Sequence, residues 1–346
     1  MDRPIFIIGS GRSGTTLLRN MLNAHPHIHI AFEPHFYWYR SLYRKRRPAR
    51  EFLDYYFQTP HFRWQRVDPD RVLAALPEPL ARDQLGLAFA AVLRERAARY
   101  GRVRFGDKTP AHAASLPQIF KDFPEARAIH IVRDPRATAA SLARMPWAPA
   151  SLMINASYLD LERKQVSKFR DRMLTIRLED LLDEPRATMT RVLEFVDEPW
   201  HDDVLDHARH APGPDDAPPY PWLERATRDR DAASGDAKAA GWGQLGPVQI
   251  RMIEQITKRL MANAGYKKAE LAREPRWISV FWAGVREIPQ FFRYAGIGLP
   301  LLFKGRVPER LDAVEQELLR RVNPKAWALY PGYQLPSAPA LKQLTG

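Results

Sequence analysis

The chain has 346 residues, enough for one large domain with appendages, and 45% of them are hydrophobic, as in an ordinary globular protein. It contains no cysteine, which excludes disulfides, thiolate metal sites and a cysteine nucleophile. The formal net charge of +13 favours an anionic partner: a phosphorylated cofactor, nucleic acid or a membrane surface. The first residues run directly into a strand-like stretch with no basic region before it, so no signal peptide is expected. No run of about 18 uncharged apolar residues exists, so no spanning helix is expected and the expected location is the cytoplasm.

In chain order, residues 5–8 predict a short strand, followed by a glycine-rich turn and a helix over 15–23. Residues 28–32 predict a second strand, ending at Glu33, which completes a βαβ unit. Residues 37–66 then turn basic and aromatic, and helical periodicity resumes over 71–99. Residues 103–110 read as a strand running into a loop. Residues 126–135 are the clearest strand and precede a helix over 137–143. A helix over 152–169, a strand over 173–178 and a helix over 188–195 follow. Proline makes 211–222 a loop, and a further helix is expected over 247–263. The alternation predicts an α/β fold with a central parallel sheet flanked by helices. Ligands bind beyond the carboxyl ends of such strands, where Gly9, Glu33, Lys108 and Arg133 all fall.

The turn after the first strand, GSGRSGTT, meets two phosphate-binding patterns incompletely. Gly9, Gly11 and Gly14 give G-x-G-x-x-G, with Glu33 placed 19 residues past Gly14 as a ribose-binding carboxylate would be. Gly9 and Gly14 also open a P-loop, but Thr15 stands where that loop needs Lys, so the β/γ-phosphate contact of an NTPase is missing. Arg12 and the Thr15–Thr16 hydroxyls suit a compact, highly charged group better than a pyrophosphate. A nicotinamide-dependent oxidoreductase nevertheless stays open as the rival reading, as does a nucleotide-binding module without catalysis.

Residues 4–28 resemble the 5′-phosphosulfate-binding segment of sulfotransferases that use 3′-phosphoadenosine 5′-phosphosulfate (PAPS), in the variant of the tyrosylprotein sulfotransferase-like branch. AIHIVRDPRATAASLARM is similar to the family's 3′-phosphate-binding strand, loop and helix, and FGDKTPAH to the segment with its active-site lysine. TIRLEDLLDEPRATMTRVLEFV and GWGQLGP…MANAGY resemble two later family segments in the same order. The resemblance implies the sulfotransferase type of fold, related to P-loop kinases, with a sulfotransferase domain over 1–270 that carries a basic-aromatic insertion at about 37–66. It implies sulfuryl transfer from PAPS to a hydroxyl or amine acceptor without a metal, the acceptor being a small molecule, lipid, sugar or peptide.

The roles it implies are specific. Gly11, Arg12, Ser13, Gly14, Thr15 and Thr16 would hold the 5′-phosphosulfate, and Arg133 and Ser141, eight residues apart, the 3′-phosphate. Trp242 would stack on the adenine, with Trp222 as second choice. Arg12 and Lys108 would stabilise charge on the transferring group, and Glu33, 21 residues after Arg12, would be the general base. His112 and His35 compete for that last role. Two positions depart from the family: Gly241 stands where Lys or Arg is common before the tryptophan, with Lys238 close but displaced, and Leu178 replaces a Tyr.

Residues 37–66 suggest a cap over the acceptor site, with a solvated helical face as the plain alternative; nucleic acid is not expected. Residues 271–346 form an extension with no counterpart in the resemblance. Its stretch 276–306 mixes Trp, Phe and Leu with cations and is interrupted by Arg286, Glu287, Pro289 and Arg293. It suits interfacial binding at the inner face of a membrane, or packing against the domain or a second subunit of a homodimer.

Overall fold

In the computed structural model, which describes residues 3–42, 48–208 and 241–304, five strands form one parallel sheet. They are β1 (Ile5–Ile8), β2 (Ile28–Phe32), β3 (Arg104–Lys108), β4 (Arg127–Val132) and β5 (Met173–Arg177), in the order β2-β3-β1-β4-β5. The register pairs Ile7 and Phe32 with Lys108, and Val132 with Arg177, so all five carboxyl ends share one edge. This is the α/β fold expected.

Alternation along β1 feeds two cores. Phe6 and Ile8 enter a cluster with Phe36, Phe52, Tyr56, Phe62 and Phe89. Ile5 and Ile7 face Leu18, Leu22, Ile129, Ile131 and Met189 on the other side. A sheet buried on both faces explains why its strands read as continuous apolar runs.

The covering helices are α1 (Thr15–Ala24), α2 (Phe36–Leu42), α3 (Ala49–Phe57), α4 (Pro60–Arg63), α5 (Pro69–Ala74), α6 (Leu85–Ala98), α7 (Leu116–Asp122), α8 (Pro135–Leu142), α9 (Leu152–Val166), α10 (Leu178–Asp183) and α11 (Pro185–Phe195). After the undescribed 209–240 come α12 (Pro247–Ile256), α13 (Lys258–Asn263) and α14 (Trp277–Lys304). The helix expected over 71–99 is two helices, divided around Pro77 and Pro79. The one expected over 247–263 divides at Thr257. Trp222, Lys238, the loop at 211–222 and residues 305–346 lie outside the described residues.

The described part of 37–66, residues 37–42 and 48–66, is more than a solvated face. Tyr37, Tyr39, Phe52, Leu53, Tyr56 and Phe62 are buried, and α2, α3 and α4 build much of the first core. Gln65 Nε2 donates to Phe32 O and His61 O, tying the end of this segment to the end of β2.

Candidate active site

Where β1 stops, the chain turns through residues 9–14 into α1. Gly14 caps that helix with a φ of 98°, and a Cβ there would lie 2.5 Å from Leu178 Cδ1, so the turn admits only glycine without strain. The cap supplies no side-chain acceptor, which leaves the first N–H groups of α1 and its positive dipole end for an anion. Ser13 donates both its N–H and its hydroxyl to Ser10 O, at 3.2 and 2.7 Å. Its hydroxyl therefore holds the loop's shape. Thr15 is buried at the helix start and Thr16 is half-buried beside it.

Arg12 joins this loop to β4 and α8. Its Nε donates to Ser141 Oγ at 3.2 Å, and its carbonyl accepts from Arg133 Nη1, also at 3.2 Å. Arg133 forms no ion pair among the described residues. Burial lowers its pKa, against the opposing pull of Glu179 and Asp134. A partly buried guanidinium without a carboxylate of its own, next to a second arginine, a serine hydroxyl and a helix N-terminus, is a donor set for an anion.

The tryptophan segment closes over the same place. A Cβ on Gly241 would lie 2.7 Å from Ala137 Cβ and 3.0 Å from Arg133 Nη2. The departure from Lys or Arg at this position thus has a steric cause: the backbone itself lies against α8. Trp242 is fixed by Arg136, whose guanidinium stands 4.3 Å from the ring centroid and is held in turn by Asp134 and Glu254. Leu178, where the branch has a Tyr, packs on Gly14.

On the other side of β1, Glu33 N donates to Lys108 O at 2.9 Å, carrying the β2–β3 ladder one residue past the strand. Lys108 is buried, lies 3.6 Å over the Phe32 ring and donates from Nζ to Glu33 Oε1 at 2.5 Å. Burial pushes the Glu33 carboxyl up, but Lys108 and then His35 outweigh it, and the group sits well below the usual carboxylate range. Burial lowers the pKa of Lys108, and Glu33 opposes that. The pair is ionic.

His35 brings Nε2 to 3.6 Å from Glu33 Oε2, and its ring lies 4.3 Å from that of His61. His61 Nδ1 is hydrogen-bonded to the Tyr39 hydroxyl at 2.6 Å; burial holds the His61 pKa well below 6.5 and keeps the ring neutral. His112, the other competing base, is buried, its Nδ1 bonded to Asp107 Oδ2 at 2.5 Å and its ring against Tyr37. It is closed off from an incoming acceptor, whereas His35 and Glu33 keep part of their side chains open.

Backbone strain marks the same residues. Among the described residues five non-glycine positions have positive φ, and three of them are Arg12 (71°), Glu33 (44°) and His35 (52°). Spacing alone did not point to Trp147, whose ring lies on the loop where a Gly11 Cβ would come within 2.4 Å of Cη2. It did not point to His61 or Tyr39 either. At the opposite edge of the sheet His25, His27 and Glu198 gather ligand atoms within 4.8 Å. They are already engaged, by Pro199 O, by each other and by Arg104.

Fold and site together describe an α/β protein with an anion cradle after its first strand and a carboxylate–lysine pair after the next two. The sequence profile of the sulfotransferase family matches residues 4–202, and the chain belongs to that family. It is 31% identical to protein-tyrosine sulfotransferase 1 of Danio rerio over 220 residues, 60% of this chain and 56% of that protein. It is 26% identical to the protein-tyrosine sulfotransferase of Drosophila melanogaster over 248 residues, 66% of this chain and 44% of that protein. The chain thus spans about half the length of these relatives. The solved sulfotransferase domain from the curacin biosynthetic pathway shares the fold, with a TM-score of 0.53 at 18% identity over 78% of this chain and 99% of that one. The nicotinamide reading is not favoured: Glu33 is engaged by Lys108, and the family matched is that of the sulfotransferases.

Proposed function

We propose that this protein transfers a sulfuryl group from PAPS to an acceptor hydroxyl, with Glu33 as the general base. The observation that carries the reading is the meeting of Arg12, Arg133 and Ser141 at the glycine-rich loop, one strand away from the Glu33–Lys108 pair. PAPS supplies an activated sulfuryl group on a 5′-phosphate. The N–H groups of α1, with Thr15 and Thr16, hold that phosphate, and Arg133 and Ser141 hold the 3′-phosphate. Trp242 stacks on the base. Glu33 accepts the acceptor's proton as its oxygen bonds to sulfur, while the bond from sulfur to the phosphate oxygen breaks and the bisphosphate leaves. Arg12 meets charge on the leaving oxygen.

Lys108 has two duties. Bound to Glu33, it keeps the carboxylate weakly basic. As negative charge grows on the sulfuryl oxygens, Nζ shifts towards them and Glu33 gains basicity at the moment it takes the proton. The transferring group carries a single negative charge, which two cations suffice to meet, so no metal is assigned. The names of the relatives make a peptide tyrosine the first acceptor to test.

The test is a thermal shift with adenosine 3′,5′-bisphosphate against NAD, followed by incubation with PAPS and tyrosine-containing peptides. Bisphosphate at a hundred times its Kd should stabilise by about 2.7 kcal/mol, with a peptide mass gain of one sulfuryl group. Stabilisation by NAD and not by bisphosphate overturns the reading.

A further inference from the structure

Among its described side chains, helix α14 docks on the domain along one side. Val280 is buried with Leu152, Ala156, Met252 and Ile253, and Ala283 packs against them. Glu287 Oε2 accepts from Met153 N at 2.9 Å and from the Ser151 hydroxyl, fixing the helix across the N-terminus of α9. The docked positions 280, 283, 284 and 287 follow helical spacing, which sets the rotation of the described part of the helix.

The outward side is aromatic. Trp277 is 75% exposed, Phe281 56%, Phe292 67% and Ile288 41%. At about 100° per residue these four fall within an arc of roughly 60°, with Trp282, 53% exposed, to one side. Arg286 is exposed on the same helix, and Lys267, Lys268, Arg273 and Arg276 are exposed just before it. Against them stand two exposed carboxylates, Glu270 and Glu274, of which Glu274 is already paired with Arg251, so cations are in excess. A contiguous exposed aromatic stripe of this kind marks an interaction surface.

We infer that the outward face of α14 seats the protein on an anionic lipid surface, lying in the interface with Trp277, Phe281, Ile288 and Phe292 among the headgroups. Charge selects this occupant. A second copy would set one +13 chain and its arginines against another, whereas anionic headgroups attract both. Tryptophan and phenylalanine beside arginine are the side chains that partition to the headgroup region. No described helix is long and apolar enough to cross a membrane, so the contact is parallel to the surface.

The experiment uses the full chain and vesicles of phosphatidylcholine, with or without about 30% phosphatidylserine, in flotation and tryptophan-fluorescence assays. Flotation with the anionic vesicles, a blue shift, and at least about tenfold weaker binding when salt rises from about 50 to 500 mM are expected. Trp277→Ser combined with Phe281→Ser should abolish flotation while melting like the parent protein. Arg273→Glu combined with Arg276→Glu, which leaves the stripe intact, should weaken it comparably. Absence of flotation at low salt overturns the inference. So does equal binding to neutral vesicles, or a dimer that the serine variant dissociates in a protein that ignores vesicles.

Discussion

In the proposed reaction Glu33 is the base, and Lys108, bonded to it, sets the strength of its carboxylate. Replacing Glu33 with Gln keeps the shape and removes the proton acceptor; kcat should fall about 10²–10⁴-fold while bisphosphate affinity stays unchanged in calorimetry. A kcat within a few-fold of the parent would move the role to His35, the remaining partly open group within reach. Arg133 makes a separable prediction. Arg133→Ala should cost about 1.5–3 kcal/mol in binding the 3′,5′-bisphosphate and little for adenosine 5′-phosphosulfate, which lacks the 3′-phosphate. Equal losses for both ligands would mean that the residue acts through its bond to the Arg12 carbonyl. These positions were legible in the sequence because each lies at the end of an apolar run, and a parallel sheet brings such ends to one edge. Trp147, Tyr39 and His61 were not. Trp147 meets Gly11 across more than 130 residues of chain, and no periodicity reports a contact of that kind.

At the scale of the element, the strand boundaries agreed with the sequence to within a few residues, since burial on both faces leaves little choice of residue. The basic-aromatic stretch was harder to read. Its cations and rings alternate densely, and only the tertiary fold decides that Phe52, Tyr56 and Phe62 turn inward while Arg50 pairs with Asp54 at the surface. The glycine-rich turn gives a prediction that separates conformation from space. Gly14→Ala should destabilise the protein by about 1–3 kcal/mol and weaken bisphosphate binding, measured by denaturant titration and calorimetry. Adding Leu178→Ala opens the room that Leu178 Cδ1 occupies but leaves φ at 98°. It should restore only part of the loss; full restoration would show that crowding alone had mattered.

At the scale of the whole molecule, two histidines among the described residues, His25 and His61, have depressed pKa values. Burial lowers His25, against a hydrogen bond to Pro199 O, and burial lowers His61 further, with His35 adding to it. In the unfolded chain both titrate near 6.5, so below that value the unfolded state binds more protons and folding stability declines as pH falls. Glu33, held low, works in the same direction at more acid pH, below its ordinary 4.5. Thermal melts between about pH 8 and 5 should therefore show Tm decreasing towards acid. His61→Gln, which takes no charge, should flatten that slope; an unchanged slope would put the titration elsewhere.

The strand order β2-β3-β1-β4-β5 puts the Glu33–Lys108 pair and the helices that follow Glu33 on one side of the phosphate loop, and Arg133, Ser141 and Glu179 on the other. Under the proposed reaction this order makes donor recognition and acceptor recognition separable, with the central strand between them. We propose that acceptor preference is set within residues 34–66, apart from the nucleotide half. Exchanging that segment for a relative's should re-address the enzyme to a different hydroxyl at unaltered affinity for the bisphosphate.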